Sequence, residues 1–229
     1  MAMDATADNA ASAGRIDVIS DVVCPWCYIG KRQLERALPL LAEQGLNFSV
    51  MWHPYQLNPE MPPEGTDRAS YRKAKFGSVE RGREIDARIT ETAKAVGLDF
   101  QLEKLTRTPN TVNAHRLIRF AAQHGAQDAV VEALFENYFC KGADIGDSEI
   151  LAGIGGVGGL DPDAVFKMLA SDEGRREVVA GDQMARNAGI QGVPSFALQG
   201  HVLFSGAQPA EEMVKAFSHA HNVLKTRAA

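Results

Sequence analysis

Along residues 15–23 apolar positions first alternate with polar ones, Ile16 and Val18 around Asp17, and then run together at Val22 and Val23. That pattern predicts a first strand. The period then changes: Leu34, Ala37, Leu38 and Leu41 recur at helical spacing, so a helix is expected from Pro25 to about Glu43. Pro39 falls inside it and removes the N–H that would bond the Glu35 carbonyl, which predicts a bend. After Gly45, Phe48, Val50 and Trp52 alternate with Ser49 and Met51 as a second strand. Strand, helix and strand joined by a right-handed crossover make the two strands parallel.

Pro54, Pro59, Pro62 and Pro63 then mark a loop, and helical periods fill the chain beyond it. Helices are predicted at 67–76, 79–97, 110–124, 127–139, 147–154, 162–170 and 173–188. Acidic starts such as Asp147-Ser148-Glu149 and Asp161-Pro162-Asp163 suit the positive end of a helix dipole. Strand character returns at Ser195 to Leu198 and, across a Gln199-Gly200 turn, at His201 to Ser205, which reads as a β-hairpin. Pro209 opens a last helix, with Glu211 and Glu212 in its first turn and Lys225 near its end. The fold class is therefore α/β with a large all-helical insertion between the second and third strands. Residues 15–60 and 190–229 form one discontinuous domain, 61–189 the insertion, and 1–14, small and polar, a disordered tail.

The composition narrows the partners. With 229 residues, 45% hydrophobic and 23% charged, the chain can bury a substantial core. A formal net charge of −5 without a Lys/Arg block argues against nucleic acid and anionic membranes. Residues 1–14 lack the apolar core of a secretory signal, and no run approaches the ~18 apolar residues of a membrane span. Three cysteines without an export signal point to a reducing, cytoplasmic compartment, where a disulfide is transient and catalytic.

Two of those cysteines, Cys24 and Cys27, stand where the first strand meets the first helix, with Pro25 and Trp26 between them. Pro25 suits the first helical position, because its N–H would have had no partner there. The Cys24 sulfur then faces unpaired N–H groups and the positive end of the helix dipole, a setting that favours a thiolate. Cys27, one turn on, is placed to attack a mixed disulfide formed on Cys24. A zinc site wants four ligands, and Cys140 is the remaining cysteine, with no second C-x-x-C or H-x-x-x-H. The stretch therefore reads as a redox pair, against the alternatives of a metal site or two inert buried thiols.

Asp21-Val22-Val23-Cys24-Pro25-Trp26-Cys27 together with Gly192-Val193-Pro194-Ser195-Phe196 resembles the DsbA-like oxidoreductases of the thioredoxin fold. Tyr28-Ile29-Gly30-Lys31, Gln56-Leu57-Asn58-Pro59, Asn110 to Leu117 and Ser205 to Pro209 are similar to their FrnE-like branch. The likeness covers the chain from about residue 15, and the element order derived above agrees with it. It implies that Pro194 is a cis proline lying against the active-site sulfurs, with the Val193 backbone beside it open to an extended substrate. It also implies catalytic roles for Cys24, Cys27 and Pro194, and substrate contacts from Pro25, Trp26, Val193, Asn110 and His115.

Kappa-class glutathione transferases and 2-hydroxychromene-2-carboxylate isomerases share the superfamily and usually carry serine at the nucleophile position. Cys24 and its partner Cys27 favour disulfide exchange over their chemistry, with protein or low-molecular-weight thiols and disulfides as partners. No bound cofactor is expected, and glutathione stays open as co-substrate or reductant. A glutathione-dependent isomerase or transferase acting on a small aromatic metabolite, and a non-catalytic peptide-binding or chaperone module, remain as alternatives. His115 serves equally well as a hydrogen-bonded structural residue. Asp21 is either a proton carrier for Cys27 or a cap at the helix entry. Gly153 to Gly158 spells G-x-G-x-x-G but follows a helical pattern, so it reads as a helix end and loop rather than a nucleotide site. Cys140 reads as an apolar filler. Apolar faces on the insertion helices can serve a homodimer as well as a core.

Overall fold

The computed structural model describes residues 12–228. Its central strand is β1, Ser12–Ser20, which is parallel to β2, Asn47–Pro54, on one edge and antiparallel to β5, Ser195–Leu198, on the other. β6, His201–Ser205, completes the hairpin and the order β2-β1-β5-β6. A strand paired on both edges and covered on both faces is shielded from water, and Ile16 to Ser20 are all buried, Asp17 and Ser20 included. The hairpin turn takes Gln199 and Gly200 at positive φ, as a two-residue turn matching the strand twist requires. Ser12 to Gly14, expected in the tail, instead extend β1 against Asn47 and Phe48; residues 1–11 of that tail lie outside the described residues. Val22 and Val23, expected at the strand end, sit in a turn, because the Cys24 N–H bonds back to the Asp21 carbonyl.

α1, Pro25–Glu43, and α9, Ala210–Ala228, cover one face of the sheet. Ile16, Val18, Leu34, Ala37, Leu41, Phe196, Met213 and Phe217 close the core between them. α1 runs unbroken through Pro39, whose ring lies on the exposed side of the helix. The other face is covered by α8, Arg175–Asn187, where Ala185 and Ile190 pack with Ile19, Tyr55 and Ala197. This helix belongs by sequence to the insertion, yet it is part of the sheet's packing.

The insertion holds α2, Arg68–Phe76, α3, Val79–Ala95, α4, Val112–Gln123, α5, Gln127–Phe135, α6, Ser148–Val157, and α7, Pro162–Ala170. It is helical except for one small ribbon, in which β3, Thr66–Asp67, pairs with β4, Arg107–Thr108. The helix expected over 127–139 leaves α-geometry after Phe135 and ends in a π turn, Glu136–Cys140. The glycine-rich run lies within α6 and its C-cap, and Gly155, Gly156 and Gly158 serve close packing. A Cβ on Gly155 would stand 2.8 Å from Val165, and one on Gly158 2.5 Å from Val130. Arg116, 1% exposed, gives its guanidinium to the carbonyls of Met168, Leu169, Ser171 and Glu173, tying the end of α7 to α4. Lys31, 2% exposed, lies among Glu35, Asp128 and Glu132, while Arg32 and the Tyr28 hydroxyl also meet Glu132. This network joins α1 to α5. No helix among the described residues is long and apolar enough to cross a membrane.

Candidate active site

Cys24 is the N-cap of α1, in extended backbone (φ −92°, ψ 113°), and Pro25 takes the first helical position. No side chain caps the helix start and no acidic residue lies in its first turn; Pro25 has no N–H to satisfy, and the Cys27 N–H donates to the Cys24 carbonyl at 3.0 Å. The Sγ–H of Cys24 donates to the Val193 carbonyl at 3.5 Å. Cys27, one turn later, is fully buried, and both cysteines are free thiols. Burial pushes the Cys27 thiol well above the ordinary thiol range, and the neighbouring Cys24 adds to this; the Ser20 hydroxyl and the Asp21 N–H oppose it. Cys24, 4% exposed, lines the cleft, whereas Cys27 is fully enclosed and held protonated.

The peptide bond between Val193 and Pro194 is cis. Two features hold this turn against α1. Gly30 lets the helix come close, since a Cβ there would stand 2.9 Å from Pro194 Cγ. On the other side the Gly206 N–H donates to the Pro194 carbonyl at 2.7 Å, and Ser195 Oγ bonds both the Gly192 carbonyl and Ser205 Oγ. The Tyr28 to Lys31 and Ser205 to Pro209 motifs are thus parts of one clamp on Pro194.

Cys24, Pro25, Trp26 and Val193 share a cleft of about 330 Å³ whose far wall is α2 and α3. Trp26, 41% exposed, stands at its mouth, and Leu57, Tyr138 and Phe139 line its floor. Burial pushes the Tyr138 hydroxyl up to about 12, so it stays a neutral donor. Arg68, Tyr71, Arg72 and Lys75 of α2 and Thr108 of β4 also line it. None of these is among the site residues expected from sequence. Their signal was the spacing of Arg68, Arg72 and Lys75, three cations one and two helical turns apart.

Asn110 and His115 are not among the residues lining this cleft. The Asn110 amide donates to the Met61 carbonyl at 2.7 Å and its oxygen accepts from the Val112 N–H, so it fixes the start of α4. His115, 3% exposed, places Nε2 3.2 Å from the Tyr55 carbonyl and 3.5 Å from Asp21 Oδ1. It lines a second cleft of about 360 Å³ between β2, α4 and α8. Asp21, fully buried, accepts from the Leu57 N–H at 2.8 Å and is aligned with the Val23 N–H at 3.5 Å, which makes it the anchor of the turn leading into α1. Gln56 is held likewise, its N–H donating to Asp182 and its carbonyl accepting from Arg186. No group of three or more His, Cys, Asp or Glu side chains among the described residues is arranged to hold a metal ion.

The uncharacterized Bacillus subtilis protein YwbO is 26% identical over 205 residues, 89% of this chain and 95% of that protein. The crystal structure of the probable DsbA oxidoreductase of Streptomyces coelicolor is 30% identical, with a TM-score of 0.80, over 90% of this chain and 89% of that one. The cytosolic disulfide reductase DsbM of Pseudomonas aeruginosa, solved with GSH, superposes over 93% of this chain and 98% of its own with a TM-score of 0.57. At 15% identity that likeness is one of fold. The DSBA-like thioredoxin domain matches residues 15–218, the span that carries both cysteines, the cis proline and the clamp around it, and the chain therefore belongs to that family.

Proposed function

We propose that the chain is a thiol-disulfide oxidoreductase in which Cys24 attacks and Cys27 resolves. The observation that carries this reading is the pairing of a helix-capping Cys24, open to a cleft, with a fully buried Cys27 one turn away. The Cys24 thiolate displaces one sulfur of a substrate disulfide, releasing a thiolate and forming a mixed disulfide. Cys27 then gives up its proton and displaces the second sulfur, leaving the Cys24–Cys27 disulfide and a substrate reduced by two electrons. Run backwards, the same steps oxidise a dithiol. Pro194 packs beside the sulfurs, while Pro25, Trp26 and the Val193 backbone contact the substrate. Residues 15–60 and 190–229 supply the chemistry, and 61–189 supplies the cleft's other wall.

Protein and low-molecular-weight thiols and disulfides are the partners in this reading, in a cytoplasmic setting, with glutathione as reductant or co-substrate. The glutathione bound in the distant DsbM structure supports that choice. The test is an equilibrium titration in glutathione redox buffers, read by alkylation and mass spectrometry. A two-electron Cys24–Cys27 couple that vanishes in Cys24→Ser supports the proposal. A stable glutathione adduct on Cys24 with no internal disulfide moves the assignment to glutathione-dependent chemistry on a small molecule.

A further inference from the structure

The wall facing Cys24 carries a charge opposite to that of the chain. Arg68, Arg72 and Lys75 line it, against a single lining carboxylate, Asp86, in a protein of net charge −5. Asp86 meets both guanidinium groups, Arg72 at 2.5 Å and Arg68 at 3.5 Å, so two positive charges on this wall are left unbalanced. The Arg72 guanidinium is held in place by the Gly82 carbonyl at 2.7 Å and by the Phe76 ring 4.4 Å away. Its Nε is buried and finds no hydrogen-bond partner among the described residues. Neither does Oγ1 of Thr108, a residue 3% exposed on the same cleft. Buried polar groups are paired as a rule, and two unpaired donors beside an uncompensated positive charge describe a receptor for an oxyanion.

We infer that Arg72 and Thr108, with the charge of Arg68 and Lys75, form a subsite for a carboxylate carried by a small disulfide or thiol substrate of Cys24. The inference rests on the oxidoreductase reading and names its substrate class. The cleft's 330 Å³, walled by α2 and α3, fits a small molecule. Arg72 Nε and the Thr108 hydroxyl donate to the carboxylate, and its disulfide lies toward the Cys24 sulfur. Attack then proceeds as above: one S–S bond breaks, one S–S bond to Cys24 forms, and a carboxylated thiolate leaves.

The test is single-turnover reaction of the pre-reduced full-length protein with three disulfides of similar size: dithiodipropionate, which is dianionic, hydroxyethyl disulfide, which is neutral, and cystamine, which is dicationic. Each rate is divided by that of the same disulfide with dithiothreitol, which removes differences in intrinsic reactivity. The expected order is anion, neutral, cation, with the anion favoured over the neutral compound about tenfold. Arg72→Gln brings that ratio close to one, and the near-isosteric Thr108→Val, which leaves the Arg72 contacts intact, lowers it about threefold. Arg81→Gln, which removes the same charge from an exposed part of α3, keeps the ratio. A wild-type ratio near one, or a ratio unchanged in Thr108→Val, overturns the subsite even where Arg72→Gln fails to fold. Failure of all three disulfides to react, or reaction that persists in Cys24→Ser, overturns the oxidoreductase reading instead.

Discussion

The Sγ of Cys24 and the carbonyl oxygen of Val193 meet at 3.5 Å across a sequence separation of 169 residues. The first helix and the turn before the hairpin therefore share one sulfur. The cover on Cys24 is a backbone carbonyl at the edge of an open cleft, whereas Cys27 is enclosed on all sides.

That difference sets the reactivities of the two thiols. Burial and the neighbouring sulfur both raise the Cys27 thiol, so it remains protonated at pH values where an ordinary thiol begins to ionise. Iodoacetamide applied to the reduced native protein at pH 7.5, a chosen assay condition, is expected to label Cys24 at least about tenfold faster than Cys27. The gap closes on unfolding. Time-resolved alkylation read by mass spectrometry checks this, and equal native rates would remove the division of roles.

Gly30 is needed for space. Gly30→Ala forces a methyl to within 2.9 Å of Pro194 Cγ, so the clamp must open. The expected cost is about 1–3 kcal/mol by urea denaturation. Because the clamp also positions Val193, Cys24 alkylation in the variant should change with it. A variant of wild-type stability and unaltered Cys24 reactivity would show the contact to be slack.

The α1–α5 charge network gives the stability a pH dependence. Burial tends to raise the Glu132 carboxyl, but the Arg32 and Tyr28 hydrogen bonds and the Lys31 charge outweigh it, and the net shift is downward. A folded-state value below the unfolded value means that the contribution is complete above the unfolded value of about 4.3 and is lost as pH falls through the folded one. Glu132→Gln is expected to cost about 1–3 kcal/mol at neutral pH and less at low pH. Denaturant melts at the two pH values decide it; an equal cost at both would mean that packing, not charge, is what Glu132 contributes.

Arg116 is a structural staple. Arg116→Met keeps much of the volume but leaves the carbonyls at the end of α7 without their donor. A loss of about 2–4 kcal/mol follows. Hydrogen exchange should show the loss first in α7 and in the 171–174 turn. Uniform protection equal to wild type would contradict this.

Periodicity and turn chemistry carried most of the fold. α1, α7 and the hairpin fall where the apolar spacing and the Pro, Asp and Gly positions place them, because each signal is local. The ribbon of β3 and β4 escaped, since two residues per strand have no period to read. The π turn escaped because apolar residues keep helical spacing through it, at Val131, Leu134, Phe135, Tyr138 and Phe139, and the change of hydrogen bonding at Phe135 leaves no mark in composition. Of the expected site residues, Cys24, Pro25 and Trp26, read from the strand-to-helix junction, share one cleft with Val193, which the resemblance supplied. The resemblance suggested that Asn110 and His115 line the site; neither lines the Cys24 cleft, and His115 lies instead near Asp21 and on the second cleft. The cations of α2 were visible as letters, and only the approach of that helix to Cys24 gives them a meaning.

β1 is paired on one edge with the strand that follows the first helix and on the other with a hairpin near the far end of the chain. The dithiol therefore precedes its carbonyl cover by 169 residues, and the β5 edge follows that cover. Until the hairpin docks, β1 has an open edge and Cys24 and Cys27 have no enclosed partner between them. Completion of the reactive centre thus waits on a contact 169 residues away in sequence, a cost of non-local topology.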